Sequence, residues 1–110
     1  MVPDVSIIIT NYNYGKYISR CLRSCLNQER ILYEVIVVDD CSTDNSFEMI
    51  RPFAEQIRFL KTEKNSGVAA AANLGIQNAR GQFFFRVDAD DYINKDMSYI
   101  MKKYLESNHE

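Results

Sequence analysis

Three carboxylates in the pattern Asp-x-Asp-Asp follow directly on the apolar run 83–87; they are Asp88, Asp90 and Asp91. Aromatic and β-branched residues favour a strand, and a nearly continuous apolar run predicts a strand buried on both faces. Acids crowded at a strand end repel one another unless a positive charge lies among them. Because hard metals prefer carboxylate oxygens, the motif predicts a site for a divalent cation.

Two other apolar runs, 5–10 and 34–38, also stop in polar side chains. These side chains are Thr10, Asn11 and Tyr12 after the first run, and Asp39 and Asp40 after the second. Ligands of open parallel α/β sheets bind beyond the carboxyl ends of the strands, so the three ends are expected to build one site. An acidic strand end can also merely cap the next helix, and for Asp39-Asp40 alone both interpretations stay open.

Four strand-like runs alternate with four helix-like stretches. The predicted strands are 5–10, 34–38, 57–60 and 83–87; the predicted helices are 17–27, 45–54, 68–79 and a last one capped by Asn94. Pro52 is expected to end or kink the second helix. Short connections between buried strands and helices imply a mainly parallel sheet. Residues 1–110 therefore read as one α/β sandwich of about four strand–helix units.

Three of the predicted helices carry an apolar stripe, and each stripe is expected to face the core. The first helix has Ile18, Cys21, Leu22, Cys25 and Leu26; the third has Val68, Ala72, Gly75, Ile76 and Ala79; the last has Met97, Ile100, Met101, Tyr104 and Leu105. The first stripe assigns Cys21 and Cys25 to the core as free thiols, because an odd total of three cysteines without Cys-x-x-Cys spacing argues against disulfides or zinc. Gly81 is expected to close the third helix.

Composition excludes several classes of protein. The net charge of −2 gives no basic field, so no nucleic acid partner is expected. The sequence shows neither an apolar run of about 20 residues, as a transmembrane segment needs, nor a signal peptide, which predicts a cytoplasmic protein.

Gly-x-Gly-x-x-Gly and P-loop motifs are absent, so any pyrophosphate charge must be met mainly by metal. A nucleoside diphosphate would satisfy both the hydrogen-bonding acids and the metal-binding acids.

Six short segments occur in a fixed order: 5–13, 37–44, 65–67, 72–75, Gly81 and 88–91. Together they resemble the opening of family 2 glycosyltransferases, and the likeness runs from Val5 to about Tyr104. The resemblance implies a GT-A fold, a Rossmann-like sandwich, that binds a nucleotide-diphosphate sugar with Mn²⁺ or Mg²⁺. It implies transfer of the sugar, most simply from a UDP-sugar, to a hydroxyl of a carbohydrate or lipid-linked acceptor in cell-surface polysaccharide or glycan synthesis.

The resemblance also implies roles for individual residues. Thr10 and Tyr12 would flank the base, Asp40 would bind the base edge, Asp88 would lie near the ribose, Asp90 would be the metal ligand with Asp91 beside it, and Asn65 and Gly67 would shape the loop over the nucleotide. One position departs from the pattern, because many relatives carry Arg where this chain has Ala72. Either Lys or Arg from elsewhere replaces that charge, or the metal carries more of it.

Relatives continue past the Asp-x-Asp region with strands that bind the acceptor and supply a carboxylate as general base. Residues 1–110 are therefore expected to be the N-terminal, nucleotide-sugar-binding part, with peripheral membrane attachment through a further part. No catalytic residue is assigned, and His109 is expected to be solvated. An exposed sheet edge predicts association into a homo-oligomer or marginal stability.

Three other functions fit parts of the sequence. A phosphotransfer enzyme would use Asp88 as nucleophile and Asp90 as general acid. A receiver-like signalling module would use Asp39 and Asp40 as an acidic pocket, but would leave the Asp-x-Asp-Asp motif unexplained. A simple nucleotide-binding module without chemistry of its own is the third.

Overall fold

The computed structural model describes residues 2–108 and contains a parallel sheet of four strands. Its strands are β1 (Val5–Asn11), β2 (Tyr33–Asp39), β3 (Arg58–Lys61) and β4 (Phe83–Asp88), in the order β3-β2-β1-β4. The helices are α1 (Ile18–Cys25), α2 (Ser46–Ile50), α3 (Val68–Asn78) and α4 (Met97–Asn108), and a 3₁₀ helix, Arg51–Gln56, follows α2. The predicted α/β class is confirmed.

The predicted elements all form, and Pro52 acts as expected. The α-helical stretch ends at Ile50, and the 3₁₀ helix begins with Pro52 in its first turn. Within residues 2–108 no helix combines the length and the apolarity that crossing a membrane requires. The prediction for His109 lies outside the described residues.

The sheet buries a different core on each face, because successive side chains of a strand point to opposite sides. On one face, Ile7 and Ile9 of β1 pack with the predicted apolar stripe of α1, including the free thiols Cys21 and Cys25. On the other face, Ile8 and the β2 residues Ile36 and Val38 pack against Ala71 of α3. All seven residues of β1 are buried, so β1 is the centre of the fold.

The prediction that β4 is buried on both faces is wrong. β4 pairs with β1 and ends the sheet, so it has a neighbour on one edge only among the described residues. Phe84 is 48% exposed, and Arg86 points to the same face and is exposed as well. The physical reason is the edge position: no described helix covers this part of the sheet.

The predicted inner face of α3 is partly wrong. Ala71 and Gly75 are the residues buried against the sheet, whereas Val68 and Ile76 are exposed. A side chain at 75 would meet the sheet, because an added Cβ would lie 2.5 Å from Ile8 Cγ2. The helix therefore brings its smallest residue closest to β1, with Leu74 packed at the margin of the same core.

Gly81 does not cap α3, which ends at Asn78 with Ala79 as its cap residue. Gly81 instead lies against β1, where its N–H donates to Ser6 Oγ at 2.8 Å. A Cβ at this position would be 2.7 Å from the Ser6 backbone nitrogen. The glycine is needed for close approach of two backbones.

The predicted apolar stripe of α4 also fails in part, since Ile100 and Tyr104 are exposed. Polar contacts anchor the start of this helix instead. The Gln28 side chain donates to the Asn94 carbonyl at 2.9 Å and accepts from the Ser98 N–H at 2.8 Å.

Glu34, near the amino end of β2, is the hub of a polar cluster. Its carboxylate accepts from the Ser6 hydroxyl, from the Arg80 N–H at 2.7 Å and from Arg58 Nη1 at 3.0 Å. Burial pushes the pKa of Glu34 upward, but these hydrogen bonds and the Arg58 charge outweigh it, so the pKa lies below its ordinary value of 4.5. The carboxylate therefore stabilises the fold once it is ionised.

We expect Glu34→Gln to weaken the dependence of stability on acid pH. A depressed folded-state pKa contributes stability above the unfolded value of about 4.3, and this is lost as pH falls through the folded-state pKa. Wild type should thus lose about 1 kcal/mol more than Glu34→Gln between pH 6 and pH 3. Thermal melts across this range measure the difference, with exposed Glu48→Gln as control; parallel curves for wild type and Glu34→Gln would contradict it.

Candidate functional site

A cavity of about 460 Å³ opens at the carboxyl edge of the sheet. The strand order explains its position: the chain runs from β1 outward through β2 and β3 on one side, and β4 lies on the other. Loops that leave neighbouring strands in opposite directions leave a crevice between them. Its lining residues are Thr10, Asn11, Tyr12, Tyr14, Asp40, Asn65, Gly67, Val68, Ala71, Arg86, Asp88 and Asp90.

The structure brings together seven of the eight predicted site residues as walls of this cavity; the eighth, Asp91, lies beside them on the outer side of β4. The two neighbouring acids at the end of β2, Asp39 and Asp40, have separate roles. Asp39 accepts from Asn11 Nδ2 at 2.8 Å and from the Ser42 hydroxyl at 2.7 Å. It therefore ties the ends of β1 and β2 together, a structural role that differs from the helix cap considered for it, since Asn45 is the N-cap residue of α2.

Asp40 faces the cavity and holds the loop before α3. Its Oδ1 accepts from Thr62 Oγ1 at 2.8 Å and from the Ser66 N–H at 2.9 Å, and its Oδ2 accepts from the Gly67 N–H at 2.8 Å. Burial raises the pKa of Asp40, but these three hydrogen bonds more than offset it, and the pKa stays below its ordinary value. Asp40 is thus an anion that uses three of about four acceptor positions of a carboxylate.

The loop conformation depends on Gly67. Its φ is 91°, in the left-handed region that glycine adopts at no steric cost, and it immediately precedes α3. This turn directs the Ser66 and Gly67 amides at Asp40 and leaves Asn65 on the cavity wall. The expected part of Asn65 and Gly67 in shaping a loop over a ligand remains a prediction.

The Asp-x-Asp-Asp motif forms a turn at the end of β4. The Ala89 N–H donates to the Thr10 carbonyl at 3.1 Å, and the Asp91 N–H donates back to the Asp88 carbonyl at 2.9 Å. Carboxylate oxygens of Asp88, Asp90 and Asp91 lie within 4.8 Å of one another as a result. These oxygen donors fit a hard divalent cation such as Mn²⁺ or Mg²⁺.

Arg86 is a wall residue to which the sequence analysis gave no role. Its Nη1 donates to Thr10 Oγ1 at 3.0 Å and forms an ion pair with Asp88. The signal was present in the sequence: Arg86 is the one charge in an apolar run, two residues before Asp88, and strand residues two apart share a face. Tyr14, packed edge-on against Tyr17, is a second unassigned wall residue.

Comparison with known proteins identifies the family. The sequence profile described as "Glycosyl transferase family 2" matches residues 6–110. An uncharacterized glycosyltransferase of Haemophilus influenzae is 36% identical over 111 residues, which are 98% of this chain and 44% of that protein. The chain therefore spans less than half of this relative.

Two solved structures share the fold closely. Staphylococcus aureus TarS 1–349, in complex with UDP, superimposes with a TM-score of 0.86 at 33% identity, covering 96% of this chain and 33% of that one. TarS is named as a poly(ribitol-phosphate) β-N-acetylglucosaminyltransferase. The mannosyltransferase PcManGT of Pyrobaculum calidifontis, in complex with GDP-Man and Mn²⁺, gives a TM-score of 0.86 at 27% identity, with 96% and 33% of the two chains covered.

These findings confirm the GT-A fold and the enzyme family that the sequence motifs predicted, and they set aside the phosphotransfer and receiver-like alternatives. The profile covers the strands, the cavity and the Asp-x-Asp-Asp turn alike. The chain belongs to the family 2 glycosyltransferases.

Proposed function

We propose that this chain binds a nucleotide-diphosphate sugar, with a UDP-sugar as the first candidate, for transfer of the sugar to an acceptor hydroxyl. One observation carries the proposal: an anionic hydrogen-bond acceptor, Asp40, and two of the three clustered carboxylates, Asp88 and Asp90, border the same cavity. A base and a diphosphate joined by a ribose present the matching groups at two ends of one ligand. TarS with UDP and PcManGT with GDP-Man support this class of ligand.

The chemistry of Asp40 favours particular bases. A carboxylate only accepts, and one acceptor position of Asp40 remains after its three loop contacts. Uracil and guanine carry a ring N–H donor that can occupy it, whereas the corresponding ring nitrogens of cytosine and adenine are acceptors. UDP and GDP should therefore bind better than CDP or ADP, and we take UDP as the natural nucleotide.

The remaining walls fit the rest of the nucleotide. Tyr12 lies at the mouth with 41% of its surface exposed, where it can flank a base, and Thr10 borders the same end of β1. Asp88 is the member of the carboxylate cluster that contacts Thr10 at the end of β1, and we assign it to the ribose. Asn65 and Gly67 would close over the ligand from the α3 side.

Asp90 is the proposed principal metal ligand, with Asp91 beside it. Asp90 is exposed, and its position is held through its carbonyl oxygen, which accepts from Arg20 Nη2 at 3.3 Å. A bound Mn²⁺ or Mg²⁺ would neutralise the charge that develops on the diphosphate as the sugar departs. The residues of this chain hold and orient the donor for that step.

The acceptor and the cellular setting complete the proposal. TarS is named for transfer to a poly(ribitol-phosphate), and we propose a carbohydrate or lipid-linked acceptor in cell-surface polymer synthesis. A cytoplasmic location, peripheral at the membrane, suits such an acceptor. We assign no general base among the described residues that line the cavity.

Calorimetric titration of UDP with and without Mn²⁺ tests the proposal. We expect wild type to bind UDP more tightly with Mn²⁺, and Asp90→Ala to lose the metal-dependent part of the affinity because it lacks a carboxylate ligand. Exposed Glu55→Ala, on the 3₁₀ helix, removes the same charge elsewhere and should behave as wild type. Metal-independent binding by wild type would refute the metal role, and tighter binding of CDP than of UDP would refute the base assignment.

A further inference from the structure

We propose that Arg86 binds the diphosphate of the sugar nucleotide and supplies the positive charge that this chain lacks at Ala72. This inference rests on the proposed function and concerns which side chain meets the phosphates. Among the described residues that line the cavity, Arg86 is the only one with a cationic side chain. It is also the residue that interrupts the apolar run of β4.

The strand places the guanidinium at the floor of the site. Arg86 and Asp88 point to the same face of β4, so the long side chain runs along the strand toward its carboxyl end. There Nη1 contacts Thr10 Oγ1 on β1 and the Asp88 carboxylate. The Nε and Nη2 donors have no acceptor among residues 2–108, so one edge of the guanidinium is available to a ligand.

The charge balance in the cavity favours a second cation beside the metal. The walls carry three carboxylates, Asp40, Asp88 and Asp90, against the single guanidinium of Arg86. The diphosphate of a sugar nucleotide adds about two further negative charges, so one divalent ion balances the diphosphate but not the wall carboxylates as well. A guanidinium offers planar paired donors that match phosphate oxygens, and its charge persists at every physiological pH.

The shape of α3 supports the same assignment. The helix presents Ala71 to the cavity and has Ala72 next to it, so no long side chain enters from this side. The resemblance places an arginine at position 72 in many relatives. In this chain residues 69–72 are all alanines, and the Arg86 side chain of β4 can occupy the space beside them.

The ion pair between Arg86 and Asp88 predicts opposite changes in the affinities for Mn²⁺ and for UDP when Arg86 is removed. Asp88 belongs to the carboxylate cluster, so Arg86 and a metal ion compete for the same oxygens when no nucleotide is present. Removing Arg86 should therefore strengthen the binding of Mn²⁺ alone while it weakens the binding of UDP. A purely structural role would weaken both.

The test compares Arg86→Gln and Arg86→Lys with wild type, and uses Arg23→Gln on the exposed face of α1 as the charge-matched control. Mn²⁺ affinity is measured by electron paramagnetic resonance without nucleotide. UDP and uridine affinities are measured by NMR titration, which follows millimolar binding. Loss of a charge-assisted hydrogen bond should weaken UDP about 10-fold in Arg86→Gln, with a smaller loss in Arg86→Lys because the charge remains.

Uridine affinity should fall much less than UDP affinity in both variants, since Arg86 contacts Thr10 and Asp88 but is proposed to bind the phosphates. Equal losses for uridine and UDP would overturn the proposal, since Arg86 would then act on the nucleoside. The proposal would also be overturned if Arg86→Gln bound UDP as tightly as wild type does, whether or not the variant bound Mn²⁺ more tightly. If wild type itself binds no UDP, the proposed function fails, and this outcome is distinct from a failure of the Arg86 assignment alone.

Discussion

Asp40→Asn is expected to weaken UDP binding about 100-fold or more and to loosen residues 62–67 in the same protein. The amide keeps the size of the carboxylate but replaces one acceptor oxygen with an NH₂ donor. That donor would face either the Gly67 N–H or the Thr62 and Ser66 donors, all of which now bond to Asp40. An unsatisfied buried polar group costs about 1–3 kcal/mol, and the variant creates two, counting the ligand N–H.

Calorimetry with UDP measures the affinity, and hydrogen exchange at the Ser66 and Gly67 amides measures the loop. Thr62→Val is the matched comparison, because it removes one of the three hydrogen bonds to Asp40 and leaves the carboxylate and both amides in place. We expect it to loosen the loop slightly and to retain most of the affinity. If Asp40→Asn bound UDP as well as Thr62→Val, the carboxylate would have no direct contact with the base.

The cavity that forms the candidate site could be located from the sequence, because the ends of the strands are recognisable as polar residues after apolar runs. Apolar runs that stop in Thr10, Asp40 and Asp88 mark one edge of a parallel sheet, whatever the strand order. The division of labour between Asp39 and Asp40 could not be predicted, because it depends on which loops supply donors. Those donors are separated by up to 27 residues from the carboxylate that receives them.

The contacts of Arg86 could not be predicted from the sequence either, because they depend on the order of the strands. Its partner Thr10 is 76 residues away in sequence, and the two meet only because β4 pairs directly with β1. A different strand order would have put the guanidinium beside other neighbours. The edge position that exposes Phe84 also follows from strand order and not from the composition of β4.

The inner face of α3 was mispredicted for a physical reason of another kind. Its first turns are so rich in alanine that burial of any face gives a similar hydrophobic gain, and the 3.6-residue period selects none. Close approach decides instead. The turn of helix that carries Gly75 can lie nearest to β1, and this contact brings Ala71 onto the sheet.

Gly75→Val is therefore expected to destabilise the protein by about 3 kcal/mol, at the upper end for overpacking of a core. The Cβ alone would lie 2.5 Å from Ile8 Cγ2 and 3.2 Å from Val38 Cγ2. Both neighbours are buried, β-branched and stiff about χ1, so neither can rotate away at low cost. Urea denaturation gives the change, and Ala69→Val on the exposed side of α3 measures what a valine costs this helix without a clash.

A double-mutant cycle separates the clash from any general effect on the helix. Ile8→Ala removes the nearest methyl group and should by itself cost about 3 kcal/mol as a cavity in the core. Combined with Gly75→Ala, whose added methyl fills part of that cavity, the two changes should destabilise less than their sum. Additive effects would mean that α3 shifts as a body to accommodate a side chain at 75. In that case Gly67 and Val68, which begin the helix and line the cavity, would move with it, and UDP affinity would fall in Gly75→Ala as well.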